Sequence, residues 1–150
     1  MPDSSRESLG FLLIDAARAL RRRFEVRATE LGLSTSQWRL IAQLHHRGPQ
    51  AQARLAEYLE IEPISVSRLA DRMVKAGWIE REAAPHDRRI KIVALTAKAD
   101  QAFAEARLIA DVLYTDALAG LPPGTREHLT VILKSITQNL SESAGPENER

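Results

Sequence analysis

The sequence predicts a mainly α chain with one small β-hairpin, in which long helices flank a compact helical middle. Three observations lead there. Apolar residues recur at steps of three and four along most of the 150 residues, the period of helices buried on one face. Two short β-prone runs, Trp78–Glu82 and Ile90–Leu95, lie close enough to pair as a hairpin. Helix stops at Gly32, Gly48-Pro49, Gly77 and Leu121-Pro122-Pro123-Gly124 cut the helical pattern into pieces of unequal length.

Each element has its own local signal. Ser4 to Glu7 has the Ser-x-x-Glu spacing of a capping box. Leu9, Leu12, Leu13, Ala16, Ala17, Leu20, Phe24 and Ala28 then mark a long amphipathic first helix ending near Gly32. Its other face carries Arg18, Arg21, Arg22, Arg23 and Arg27, a solvated face or an anion contact. A second capping box, Ser34 to Gln37, opens the next helix, continued by Trp38, Ile41, Ala42 and Leu44. A short helix over 52–59 follows, with Leu55, Ala56 and Leu59 on one side. Pro63, at a first helical position, opens the helix to about Ala76. That helix buries Val66, Leu69, Ala70, Met73 and Val74. The basic segment Ala83–Arg89 forms the tip between the two strands. Thr96 caps a helix over 97–119, and a last helix carries Leu129, Ile132, Leu133, Ile136 and Leu140.

The composition excludes several classes. It is 44% hydrophobic and 27% charged, which is globular rather than disordered. No apolar run reaches the ~18–20 residues of a membrane span, and the first residues lack a secretory pattern. A cytoplasmic protein without membrane contact is expected. The absence of cysteine removes disulfides, thiolate metal sites and cysteine redox switching. The seven glycines form no phosphate-cradling loop, and no G-x-S-x-G elbow is present. His45 and His46 are neighbours on different helix faces, and therefore a poor metal pair. No enzyme activity, metal or cofactor is expected.

Net charge is only +1, yet it is unevenly spread. Residues 63–98 hold eight Lys/Arg against four Asp/Glu, whereas residues 99–150 hold four against eight. A basic middle suits a polyanion. Three helices followed by a hairpin, with the third helix polar on one face, is the order of a winged helix-turn-helix. The major groove of B-DNA admits one helix. Ser65, Ser67, Arg68 and Arg72 supply short donors near the start of the 63–76 helix and long cations further along. The tip cations Arg88 and Arg89 can reach an adjacent groove or phosphates. The alternative is an ordinary surface helix with two arginines.

From Asp87 to Thr96 the chain resembles the MarR family (multiple antibiotic resistance regulators), whose signature reads D-x-R-x5-L-T. Asp87, Arg89, Leu95 and Thr96 match it. Leu55-Ala56-Glu57, Ser67-Arg68-Leu69, Asp71-Arg72-Met73 and Lys75–Ile79 are also similar to that family, over roughly residues 9–142. Ile61-Glu62-Pro63 and Ala84–Arg89 resemble its SlyA-like branch. The resemblance implies a homodimer whose terminal helices interlock, and two winged domains on a pseudo-palindromic duplex. It divides the chain into a dimerisation helix (1–33), a winged helix-turn-helix (34–96), dimerisation helices (97–142) and a disordered tail (143–150). The apolar stripes support a dimer independently, through Leu9, Leu12, Leu13, Leu113, Leu129, Ile132, Leu133 and Ile136; an intramolecular three-helix bundle is the alternative.

By the same resemblance, Arg89 enters the minor groove and Asp87 orients it. Arg88, Ser65, Ser67, Arg68 and Arg72 are groove or phosphate candidates. Ser34, Thr35 and Gln37 lie at a helix N-terminus suited to phosphate, unless capping occupies them. Many relatives release DNA when a small aromatic or anionic molecule enters a cleft beside the dimer helices. Arg18, Arg22, Trp38, Ile41, His45, Phe103 and Arg107 are the corresponding candidates, or else core and surface residues. The resulting expectation is a homodimeric, ligand-released repressor of transcription. The alternative is a winged-helix protein-contact or ligand-binding dimer without DNA binding.

Overall fold

The computed structural model describes residues 8–142. The Ser4–Glu7 capping box and the 143–150 tail lie outside the described residues. The chain divides into two compact units, one up to Asp111 and one from Val112.

In the first unit, α1 spans Leu9–Ala28, and the Ser8 hydroxyl accepts from the Phe11 N–H as its cap. A 3₁₀ turn over Thr29–Leu31 leads to Gly32, whose φ of 78° is the left-handed conformation that glycine adopts without a Cβ clash. Helix α2, Thr35–Arg47, begins with the complete capping box. The Gln37 N–H donates to Ser34 Oγ at 3.3 Å, and the Ser34 N–H donates to Gln37 Oε1 at 2.9 Å. A two-residue strand β1, Gln50–Ala51, precedes α3, Gln52–Leu59, and α4, Pro63–Lys75. Glu60, after α3, is left-handed at φ 54°, and Arg39 Nη2 donates to the Leu59 carbonyl at that helix end.

Strands β2 (Ile79–Ala83) and β3 (Lys91–Leu95) pair antiparallel, from Ile79 opposite Leu95 to Ala83 opposite Lys91. The expected two-stranded hairpin has a third member. β1 pairs along the other edge of β3, giving the order β1-β3-β2. Helix α5 spans Ala97–Ala117. Thr96 secures its start: Oγ1 donates to the Gly77 carbonyl at 2.6 Å and accepts from the Ala99 N–H.

One core joins these elements. Leu40, Ile41, Leu55, Val66, Met73, Ile79 and Val93 are fully buried. Burying each large aliphatic side chain contributes about 1.5–3 kcal/mol. The flanking helices enter the same core through Ala28 of α1 and Ala99, Ala102 and Ala106 of α5. Val74, expected inside, is 39% exposed. It lies about 100° round α4 from Met73, beyond the edge of the buried stripe.

The second unit holds the end of α5, a turn with left-handed Gly120 and Gly124, and α6, Thr125–Glu142. Within it, the Arg126 guanidinium lies over the Tyr114 ring at 5.1 Å. No residue of α6 is buried.

Candidate nucleic-acid interface

Helix α4 is divided sharply between two faces. Val66, Leu69, Ala70 and Met73 are buried, while Ser65, Arg68 and Arg72 are exposed and Ser67 is half-buried. Three of the four polar residues that the spacing indicates are thus exposed. What the spacing does not reveal is how the helix is held. Arg81 of β2 donates to Asp71 of α4 at 2.6 Å and to Gln52 of α3 at 3.2 Å. At the far end, Lys98 Nζ donates to the Ala76 carbonyl at 2.8 Å and lies 4.1 Å from the centroid of the Trp78 ring. These contacts tie α4 and the residue that ends it to their neighbours, so its polar face is presented in one orientation.

The wing tip is similarly organised. The Asp87 carboxylate accepts from Arg89 Nε at 3.0 Å, from Arg89 Nη2 at 2.9 Å and from the Arg89 backbone N–H at 3.0 Å. This is a two-pronged guanidinium–carboxylate pair. The Arg89 side chain is nevertheless 90% exposed, against 31% for Asp87. A guanidinium has five N–H donors. The pair uses two, leaving about three facing outward. Hydrogen bonds from the Arg89 side chain, then from its backbone, hold the Asp87 carboxyl below its ordinary pKa. The same pairing raises that of Arg89. Arg88 is exposed beside the pair.

A cavity of about 260 Å³ joins the two regions, lined by Ala51, Gln52, Ala53, Pro63, Arg89, Ile90 and Lys91. The starts of α3 and α4 and the wing base thus border one concavity with two cations on its rim. Ser34 and Gln37 satisfy each other in the capping box, which leaves Thr35 as the exposed, uncommitted side chain of the three.

The ligand candidates are less united. Trp38 is 5% exposed and Ile41 fully buried, so both are core residues rather than a cleft lining. Trp38 stacks with Phe24 at 5.5 Å and with Phe103 at 5.8 Å. His45 stacks on Phe103 with ring centroids 3.6 Å apart. Arg18, Arg22 and Arg107 are exposed.

Of the expected interface residues, Leu9, Leu12 and Leu13 on α1 and Leu129, Ile132 and Leu133 on α6 are exposed. Leu113 and Ile136 are half-buried. Within one chain these stripes have no full cover. Exposed apolar groups on this scale are the usual mark of an association surface.

A model of the MarR family matches residues 31–90. The structure of the transcriptional regulator PA3341 shares 32% identity, with a TM-score of 0.73, and the match covers 90% of this chain and 99% of that one. The chain belongs to the MarR family. MarR from E. coli in its apo form superposes with a TM-score of 0.75 at 21% identity, covering 87% and 96% of the two chains. A cysteine-to-serine mutant of that protein, complexed with operator DNA, matches at 22% identity and a TM-score of 0.66, covering 85% and 92%. MarR proteins are transcriptional regulators rather than enzymes, and their winged helix-turn-helix is the architecture described above. The matches assign the family without selecting its SlyA-like branch. Among the described residues, no helix is long and apolar enough to cross a membrane, and no three His, Cys, Asp or Glu are grouped to hold a metal.

Proposed function

We propose that this MarR-family chain is a homodimeric repressor that binds a pseudo-palindromic operator in double-stranded DNA. In this reading α4 lies in the major groove, with Ser65, Ser67, Arg68 and Arg72 toward bases and phosphates. Arg89 extends from the wing into the minor groove, and Arg88 and Thr35 contact the backbone. The observation that carries the reading is the Asp87–Arg89 pair: a guanidinium held by its neighbour yet open to solvent, beside a helix with a cationic face. A fork fixed in advance loses less freedom on contact. The operator-bound mutant of E. coli MarR, alike in fold, supports the same assignment.

The uncovered stripes support the dimer. Two copies would bury Leu9, Leu12, Leu13, Leu129, Ile132 and Leu133, and would set two α4 helices one DNA turn apart, about 34–36 Å. A planar anionic effector would release the DNA. The surface suited to it is the stack of exposed His45 on half-buried Phe103, with Arg107 one turn beyond Phe103 on α5. The cysteine-free chain leaves oxidation of a thiol out of the mechanism.

Fluorescence anisotropy tests the central claim, with labelled DNA from upstream of the gene titrated beside a scrambled duplex at two salt concentrations. Selective binding that weakens steeply with salt is expected. Equal, weak binding to both duplexes, or none at low salt, would contradict it and favour a protein-contact role.

A further inference from the structure

We infer that Ile64 is a specificity-determining residue that reads the C5 methyl group of thymine in the major groove. The inference rests on the DNA-binding reading above and deepens it. Ile64 is 58% exposed, although it sits one residue from Pro63 at the start of α4. At about 100° per residue, the buried Val66, Leu69, Ala70 and Met73 occupy one arc, and Ile64 lies almost opposite its centre. Around it on the outer face stand the polar Ser65, Ser67, Arg68, Asp71, Arg72 and Lys75, with the 39%-exposed Val74 at the edge. A large β-branched hydrocarbon in the middle of that face contributes nothing to the core. It needs another reason to be there.

The chemistry of the groove supplies one. The N-terminal residues of a recognition helix come nearest the base edges. Of the groups on the major-groove floor, the thymine methyl is the apolar one. An isoleucine on a helix has one strongly preferred rotamer, so it meets a methyl with little loss of freedom. Arg68 lies one turn further along the same stripe, about 6 Å up the helix axis. The thymine should therefore fall within about two base steps of the base pair that Arg68 reaches. Lysine or arginine at position 64 would add phosphate attraction without this discrimination. The competing occupant is an apolar protein partner, for which Ile64 and the 43%-exposed Ile90 would be anchors.

Deoxyuridine, which lacks only the C5 methyl, separates the two. Duplexes are selected from a random library with the full-length wild-type protein. Each thymine of the selected half-site is then replaced singly by deoxyuridine, and affinity is read by anisotropy at fixed salt. Burying one methyl is worth about fourfold in affinity. One thymine per half-site should show about that loss, and replacement in both half-sites about fifteenfold. Ile64→Ser should bind the thymine and deoxyuridine duplexes equally, with an unchanged thermal midpoint, while Ile64→Val keeps most of the difference. Equal wild-type affinity for both duplexes at every position would overturn the inference and leave Ile64 to a protein contact. So would an undiminished difference in Ile64→Ser. Failure to select any duplex would sink the DNA-binding reading itself, and the inference with it.

Discussion

Removing the Arg89 side chain should separate DNA affinity from folding. The side chain is 90% exposed and pairs with Asp87, two residues away. Arg89→Ala should therefore leave the thermal midpoint within about a degree or two, as surface changes usually do. Its effect on DNA should be large. About three outward donors remain on the paired guanidinium, and a charge-assisted hydrogen bond in a desolvated groove is worth roughly tenfold to a hundredfold in affinity. A dimer loses two such arms. The expected loss on the operator is about a hundredfold or more at fixed salt. Removing two cations from the DNA-facing surface also flattens the fall of log K with log salt. The assay is an anisotropy titration of wild type and variant on one duplex at three or more salt concentrations, with urea unfolding beside it. Unchanged affinity and slope in a folded variant would refute the role of the wing. A lost midpoint would mean that Arg89 supports the fold, contrary to its exposure.

Four further outcomes follow. Arg81→Ala removes the links to Asp71 and Gln52. It should cost about 1 kcal/mol in urea unfolding and weaken operator binding with little change in salt slope, since Arg81 positions α4 rather than meeting phosphate. Glu60→Gly relieves a left-handed non-glycine residue and should raise stability by about 1 kcal/mol, read as a higher urea midpoint at constant m. The Asp87 carboxyl, held below its ordinary pKa by Arg89, should titrate below about 3.9 by NMR and return toward that value in Arg89→Ala. Because the folded value is depressed, the pairing is intact throughout about pH 5–8 and is lost only as pH falls through the lowered value. Leu13→Lys combined with Ile132→Lys places cations on two uncovered apolar stripes and should yield a monomer by sedimentation. An undisturbed dimer would remove those stripes from the interface.

The parts of this structure legible in the sequence are those decided within a few residues. The Ser34–Gln37 box, Pro63 at the start of α4 and Gly77 at its end each act locally. The buried stripe of α4 follows from helical period alone. The Asp87–Arg89 contact spans two residues, so it is also within reach. Other features depend on how elements meet. β1 has two residues, too few for any alternation, and exists because β3 offers it an edge. Arg81 finds Asp71 and Gln52 because β2, α3 and α4 converge. Trp38 and Ile41 carry the residue types of a ligand cleft, but both are buried, and Trp38 packs against Phe24 and Phe103. The uncovered faces of α1 and α6 read the same in sequence whether a second copy or the same chain covers them.

A hydroxyl-radical footprint of the wild-type protein on a selected operator tests the account at its centre. Two recognition helices and two wings on one duplex predict protection in two half-sites about one helical turn apart, with flanking minor-groove protection that disappears in Arg89→Ala. A single short footprint, or flanks that persist without Arg89, would contradict the dimeric, wing-inserting arrangement.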